Sequence, residues 1–339
     1  MNDHVSANSL ICGRLAQETI INLEKECFID VAGGNLLYSA YSFQLWKNGA
    51  GLAARIGENF PEDWISDIHS RHFNTSAIHR LPMNLDLRAF YAFVSEDEYK
   101  TDNPQKYFAE LELPFPKSLL GYSSSTPQLD NRKTGTDTSL RGEDIPTDLL
   151  IANSLYLAPL DFYTHSLIPP LFRSNTVTSV MINPPTGYMH SSFFFDVPTI
   201  FRGATAVITT IKRAEKLFLG RSKDIWEISE TIASYGVELV VITAGKEGQY
   251  IYDHPAKKKY HLPAYPVKKA VDTIGANDAF GGGFFAGYLL HFDPVQAALI
   301  GNVSASIKVE GSTPKHLLMT MPELAAARLE YMQGMIEVC

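Results

Sequence analysis

Cysteine is scarce in this chain. The three present, Cys12, Cys27 and Cys339, are scattered through 339 residues without paired spacing, which excludes a disulfide scaffold and fits a reducing compartment. Basic residues are also in the minority: 29 Lys and Arg against 37 Asp and Glu leave a net charge of −8. No basic stripe offers a footprint for nucleic acid. The run Lys257-Lys258-Lys259 lies between two β-type segments, 249–252 and 260–262, and reads as a solvated turn. The longest apolar stretch, 279–290, is too short to span a bilayer. The N-terminus lacks a basic segment followed by an apolar core, so no signal peptide is expected. These absences predict a soluble cytoplasmic protein with neither nucleic acid nor membrane as partner.

Metal-binding and nucleotide-binding signatures are thin as well. Of the ten histidines, His69 and His72 sit three apart on an expected surface helix over 64–73, with His79 beyond. Neither Cys pairs nor H-E-x-x-H accompanies them, so no protein-held metal is expected. No G-x-x-x-x-G-K-[ST] occurs, which excludes a P-loop, and no internal repeat is evident. Gly281 to Ala286 satisfies G-x-G-x-x-A. However, these glycines follow the start of a helix instead of lying in the turn after a strand, so the dinucleotide reading is rejected in favour of close helix packing.

What is present is a chain 45% hydrophobic, long enough for a substantial core. Early β-type runs cover 9–12, 19–23 and 27–31. Gly33-Gly34-Asn35 then opens a helix over 36–47, and strands follow at 51–56 and 88–94, the latter rich in aromatics. Residues 119–146 are polar and aperiodic, a functional loop or an insertion. From residue 150, strands at 154–157, 178–182, 204–209 and 239–243 alternate with helical patterns at 214–219, 225–235 and 278–290. That rhythm predicts an α/β fold with a mainly parallel sheet covered on both faces. Ligands in such folds sit beyond the carboxyl ends of the strands, where Asn183, Thr210, Thr243 and Asp278 fall. Residues 297–311 predict a helix of small residues, and 321–338 a closing helix.

The densest signal is 270–290, AVDTIGANDAFGGGFFAGYLL. A β-type run over 265–271 ends at Asp272-Thr273. A turn, Gly275-Ala276-Asn277, follows, and Asp278 opens an apolar helix. A helix N-terminus carries unpaired N–H groups and partial positive charge, a natural seat for phosphate. A carboxylate beside it can take a proton from an attacking hydroxyl. Taken singly, Asp278 also reads as an ordinary N-cap.

The whole string closely resembles the C-terminal signature D-T-x-G-A-G-D-x-F-x-G-G-F of the ribokinase-like (PfkB) family of carbohydrate kinases. Asp272, Thr273, Gly275, Ala276, Asp278, Phe280, Gly282, Gly283 and Phe284 match, with Asn277 in place of a glycine. The resemblance runs from about residue 10 to 326. It implies a ribokinase-like fold with a main α/β domain over 1–14, 34–83 and 116–339 and a small β lid over 15–33 and 84–115. It implies transfer of the ATP γ-phosphate to a hydroxyl of a sugar or nucleoside, Mg²⁺ arriving with ATP, and it admits a monovalent cation. Asp278 would be the base, with the amides of Gly275, Ala276 and Asn277 holding phosphoryl charge. Gly33, Gly34 and Asn35 would hinge the lid and hold substrate, together with Glu18 and Tyr38. Thr243, Gly245 and Gly248 of the T-x-G-x-x-G turn, with Thr210, Arg213 and Asn302, would face the nucleotide.

Besides Asn277, four positions depart from the family pattern. Glu18 stands where a substrate-binding Asp is usual, and Tyr38 where many members carry Asn. Thr210 and Arg213 replace the Asn and Glu of N-x-x-E. Glu18, Tyr38, Asn277 and Arg213 motivate an alternative to an active sugar or nucleoside kinase, a ribokinase-like metabolite- or nucleotide-binding protein without turnover, and the fold also admits a vitamin-precursor kinase. The aromatic strand, with Phe90, Tyr91 and Phe93, reads equally as lid packing, ligand stacking or a lid-to-lid homodimer.

Overall fold

The computed structural model describes residues 7–124, 128–173, 179–335 and 337–338. Its strands are β1 (Ser9–Cys12), β2 (Ala16–Ile21), β3 (Cys27–Gly33), β4 (Ala50–Gly57), β5 (Asn74–Leu81), β6 (Arg88–Ser95), β7 (Glu98–Lys100), β8 (Ser154–Leu157), β9 (Ser179–Ile182), β10 (Ala206–Thr210), β11 (Leu239–Thr243), β12 (Gln249–Asp253), β13 (Lys258–Leu262) and β14 (Glu337–Val338). Its helices are α1 (Asn35–Trp46), α2 (Glu62–Ser70), α3 (Pro104–Glu110), α4 (Thr147–Leu150), α5 (Phe162–Arg173), α6 (Val197–Phe201), α7 (Ile211–Leu217), α8 (Ile225–Ser234), α9 (Ala276–His291), α10 (Pro294–Lys308), α11 (Lys315–Met319) and α12 (Pro322–Gln333).

Ten strands form one sheet in the order β14-β13-β12-β11-β10-β9-β8-β1-β4-β5, and four form a second sheet in the order β3-β2-β6-β7. From β5 across to β11 every pairing is parallel; β12, β13 and β14 add antiparallel neighbours. Strands covered on both sides have no solvated face, so β1, β8, β9 and β11 are buried throughout and are mostly apolar, with Ser9, Ser154, Ser179 and Thr243 at their ends. The chain leaves β1 towards β4 on one side and later returns to β8 on the other. A crevice therefore opens at the carboxyl edge between them. Helices α1, α9 and α10 cover one face, and α5, α6, α7 and α8 the other.

The glycine stripe of α9 serves this packing. A Cβ at Gly282 would overlap the Ser39 carbonyl of α1, one at Gly281 the Tyr156 hydroxyl, and one at Gly283 the Ser304 hydroxyl of α10.

Several expectations need correcting. Residues 265–271 form no strand: the Tyr265 amide donates to Asn302 Oδ1 at 2.9 Å and the Val271 amide to the Val309 carbonyl at 2.7 Å, so these backbone groups are spent on α10 and its exit. The closing helix stops at Gln333, just before Gly334, and Val338 pairs with Tyr260 of β13. Asp278 does not open its helix; Gly275 is the N-cap and Asp278 the third helical residue. Strand β5 and helix α5 were not anticipated. Of the expected features, Thr178, Cys339 and residues 125–127 lie outside the described residues.

The small sheet buries both faces. Phe90 and Ala92 point to one side and meet Ile21, Phe108 and Leu119, so that side is closed by α3 and the segment after it. Phe93 and Tyr91 point to the other, where they meet Tyr38, Ile274 and Leu23.

Candidate active site

The turn before α9 is shaped by its own polar groups. Asp272 Oδ1 accepts from the Ile274 amide at 2.6 Å, and the Thr273 carbonyl from the Ala276 amide at 3.2 Å. Gly275 has φ 74°, and a side chain there would overlap the ring of Tyr38, so glycine is required twice over. Of the three amides expected to hold a phosphoryl group, that of Ala276 is thus engaged in the turn. Those of Gly275 and Asn277 are the ones left for a ligand at this helix start. Helix α1 clamps the first turn of α9: Ser39 Oγ donates to the Asp278 carbonyl at 3.2 Å and Ser42 Oγ to the Ala279 carbonyl at 2.5 Å.

The Asp278 side chain is half-buried. Burial pushes its carboxyl up to about 6, against the opposing pull of the Arg213 guanidinium. Such a group is ionised at neutral pH yet basic enough to receive a proton.

Arg213 comes from the first turn of α7, whose N-cap is Thr210; the Thr210 hydroxyl accepts from the Arg213 amide at 3.3 Å. Its guanidinium donates to Asn183 Oδ1 at 3.0 Å and to the Pro184 carbonyl at 3.1 Å. Asn183 in turn donates to the Tyr156 hydroxyl at 3.2 Å. An Arg at the position where the resemblance expects Glu is therefore built into the edges of β8 and β9, with its charge facing Asp278. Thr243 Oγ1 lies 3.0 Å from Asn277 Oδ1 and 3.3 Å from the Thr209 carbonyl. Asn277, in its glycine-replacing position, thereby ties the α9 turn to the end of β11. In the turn after β11, Gly248 has φ 101° and its missing side chain would overlap the Leu262 carbonyl, whereas Gly245, φ 60°, faces open space. Asn302 is buried behind that turn, donating to Gln249 Oε1 at 3.0 Å and to the Pro263 carbonyl at 2.7 Å. Together with the Tyr265 bond these use its whole amide, so Asn302 supports the turn from behind.

The expected substrate residues lie on the other side of Gly275 and satisfy one another. Glu18, 1% exposed, accepts from the Gly34 amide at 2.9 Å and from the Tyr38 hydroxyl at 2.8 Å. Gly33 leaves room for that carboxyl, and Gly34, φ 93°, lies against the Arg14 carbonyl. Desolvation pushes Glu18 up to about 7, despite those two hydrogen bonds. Asn35 accepts from the Arg14 amide at 2.7 Å and donates to the Pro159 carbonyl at 2.6 Å, joining the ends of β1 and β8.

Sequence reasoning missed Lys308. Its ammonium is fully buried at the end of α10, 3.5 Å from Asp272 Oδ2 and 5.4 Å from the centre of the Tyr38 ring. In sequence it resembles any cation at a helix C-terminus. Two contacts of the small sheet were also illegible: Glu96, after β6, pairs with Lys246 in the turn after β11, and Glu24, in the β2–β3 turn, with Lys269. Among the described residues no group of three or more His, Cys, Asp and Glu forms a metal cage, and no helix is long and apolar enough to cross a membrane.

Comparison with known proteins places this geometry. Residues 176–319 match the family described as pfkB family carbohydrate kinase. A cytidine kinase of Thermococcus kodakarensis is 23% identical over 265 residues, 77% of this chain and 81% of that protein. An uncharacterized sugar kinase of Archaeoglobus fulgidus is 33% identical over 116 residues, 34% of this chain and 44% of that protein. An E. coli structure described as a ribokinase II in complex with ATP and Mg²⁺ superposes with a TM-score of 0.69 at 13% identity, covering 96% of this chain and 99% of that one. The chain is thus similar in sequence to the pfkB family of carbohydrate kinases over residues 176–319, and shares the ribokinase-like fold over nearly its whole length.

Proposed function

We propose that the protein transfers the γ-phosphate of ATP to a hydroxyl of a small sugar-like acceptor, a carbohydrate or nucleoside. The observation that carries this reading is Asp278: a carboxylate in the first turn of α9, beside a left-handed Gly275 and opposite Arg213, with its proton affinity raised to about 6. Asp278 takes the proton of the attacking hydroxyl. The amides of Gly275 and Asn277 meet the charge developing on the phosphoryl oxygens, each such donor contributing roughly 3–4 kcal/mol in comparable oxyanion sites. Arg213 adds a cation to the same end of the reaction path. Mg²⁺ would arrive with ATP and would neutralise phosphate charge; Thr210 would supply a hydroxyl near it, and among the described residues no cluster of three or more His, Cys, Asp and Glu stands ready to hold it. The small sheet acts as a lid: Glu96 on Lys246 and Glu24 on Lys269 hold it over the crevice, which limits hydrolysis of ATP by water.

The bond between Tyr38 and Glu18 favours a second reading. Both are about 1% exposed and the tyrosine hydroxyl is committed to the carboxylate, so an acceptor that uses Glu18 must compete with it. A protein in which that displacement never occurs would bind nucleotide without turnover. ADP release measured with Mg-ATP and a panel of sugars, nucleosides and vitamin precursors separates the two. Substrate-dependent release supports the kinase, whereas nucleotide binding with no release on any acceptor supports the binding protein.

A further inference from the structure

The buried lysine behind the anion-binding turn has no part in the chemistry above, yet its ammonium is fully buried among oxygen atoms of the chain. Lys308 Nζ donates to the Gly311 carbonyl at 2.8 Å and to the Asp272 carbonyl at 3.1 Å. The Asp272 carboxylate stands 3.5 Å away, and its Oδ2 has no hydrogen-bond partner of its own. The face of the Tyr38 ring lies beyond. Two backbone carbonyls, a carboxylate and a π face around one positive charge, with no exposure of the lysine, the aspartate or, beyond 1%, the tyrosine, are the surroundings of a desolvated monovalent cation.

Everything this charge touches leads to the transfer site. The Asp272 amide and the Val271 amide both donate to the Val309 carbonyl, at 3.2 Å and 2.7 Å, so 271–272 and 309–311 are two strands of backbone pinned together by the lysine. Asp272 Oδ1 then fixes Ile274, immediately before Gly275. On the far side, the Val271 carbonyl accepts from the Leu23 amide at 3.1 Å, and Ser312 Oγ from Asn22 Nδ2 at 2.9 Å, both from the β2–β3 turn of the small sheet. Burying an ammonium costs several kcal/mol unless it is paired and bonded. A methionine would fill the same space without that cost. A methionine could not hold two carbonyls and a carboxylate together, and that is what the anion-binding turn requires.

We propose that Lys308 is a built-in monovalent cation of the phosphoryl-transfer site: its tethered ammonium holds the 272–276 turn in the shape that presents the Gly275 and Asn277 amides, and the reaction needs no free K⁺ or Na⁺. Lys308 is a positioning residue, acting through Asp272. The inference rests on the kinase reading of Asp278 for its catalytic consequence, though the cation site itself does not.

The test compares ADP release in KCl, NaCl and choline chloride for wild-type protein and for Lys308→Ala. Wild-type rates are expected to agree among the three salts. The variant is expected to lose roughly tenfold to a hundredfold in kcat, the scale of a misplaced oxyanion donor, with the KM for ATP changing far less. Added NH₄⁺ or K⁺ should restore much of that loss, and choline none. A merely structural lysine would show no such ion selectivity. Wild-type turnover that is silent in choline and revived by K⁺ overturns the proposal, and this comparison stands even if the variant fails to fold. A folded variant that NH₄⁺ and K⁺ do not help overturns it equally. Thermal midpoints of Lys308→Ala in NH₄⁺ and choline separate the two readings: a rise in NH₄⁺ from a protein with no kinase activity keeps the cation site and removes the kinase, whereas an active enzyme that requires K⁺ keeps the kinase and removes the built-in cation.

Discussion

Replacing Asp278 with Asn should make the protein both slower and more stable. The carboxyl is displaced from its ordinary value near 3.8 up to about 6. The folded state therefore holds this proton more tightly than the unfolded chain does. Between about pH 4 and pH 6 the unfolded state carries fewer protons at this site, so stability falls as pH rises through that window and stays lowered above it. A shift of about two units corresponds to roughly 3 kcal/mol. The side chain is only half-buried, and solvent screening brings the usable figure to about 1–2 kcal/mol. Asn has nearly the same shape and no charge to desolvate. It gives up the favourable placement of an anion at a helix N-terminus, about 0.3–1 kcal/mol, leaving a net gain near 1 kcal/mol. For a chain of this length that is a rise of about 2 °C in thermal midpoint, readable by scanning fluorimetry at pH 8. The same variant should lose about 10²–10⁴-fold in kcat while binding ATP as before. A lower midpoint with retained turnover would refute the reasoning and return Asp278 to the role of a helix-start residue; lost turnover with a lower midpoint would reduce it to a structural one.

Glu18→Gln tests the buried cluster beside the turn. With Glu18 pushed up to about 7 by burial, wild-type stability should decline as pH rises from about 4.5 to 7, by up to roughly 3 kcal/mol. Urea unfolding at pH 5 and pH 8 should show a smaller decline in the variant, and an equal or steeper one would contradict the assignment. Arg213→Ala removes the cation that opposes the rise of Asp278, so the acid limb of the pH–rate profile should move to higher pH; an unmoved limb would show that the two charges do not share the site.

The C-terminal half of this fold is legible because its chemistry is local. The Asp272–Phe284 string combines a turn, a helix start and small packing residues within one short stretch, and β8 to β11 are buried on both faces and therefore announce themselves. Strand β5 was hidden because it is the edge strand, and its Ser76, His79 and Arg80 break the apolar pattern. Helix α5 was hidden by Pro169 and Pro170, which ordinarily end helices. Residues 265–271 read as a strand because β-type composition says nothing of which backbone partner is nearest, and here those partners are Asn302, Val309 and Leu23. At the site, the positions of Asp278, Gly275, Thr243 and Glu18 followed from motif spacing. The pairing of Glu18 with Tyr38, and of Lys308 with Asp272, did not, since each joins residues 20 or more apart through contacts that only the folded chain creates. The same limit explains Asn302, whose amide was expected towards the nucleotide and is spent on the loop behind it.

The most direct test of the central claim is to follow the γ-phosphate itself. Wild-type protein, Mg-ATP labelled at the γ-phosphate and the acceptor panel should yield a monophosphorylated acceptor carrying the label, and Asp278→Asn should yield almost none. Label that appears only as free phosphate, or that reaches the acceptor equally with Asp278→Asn, would contradict the account of Asp278 as the base at an amide-lined phosphoryl site.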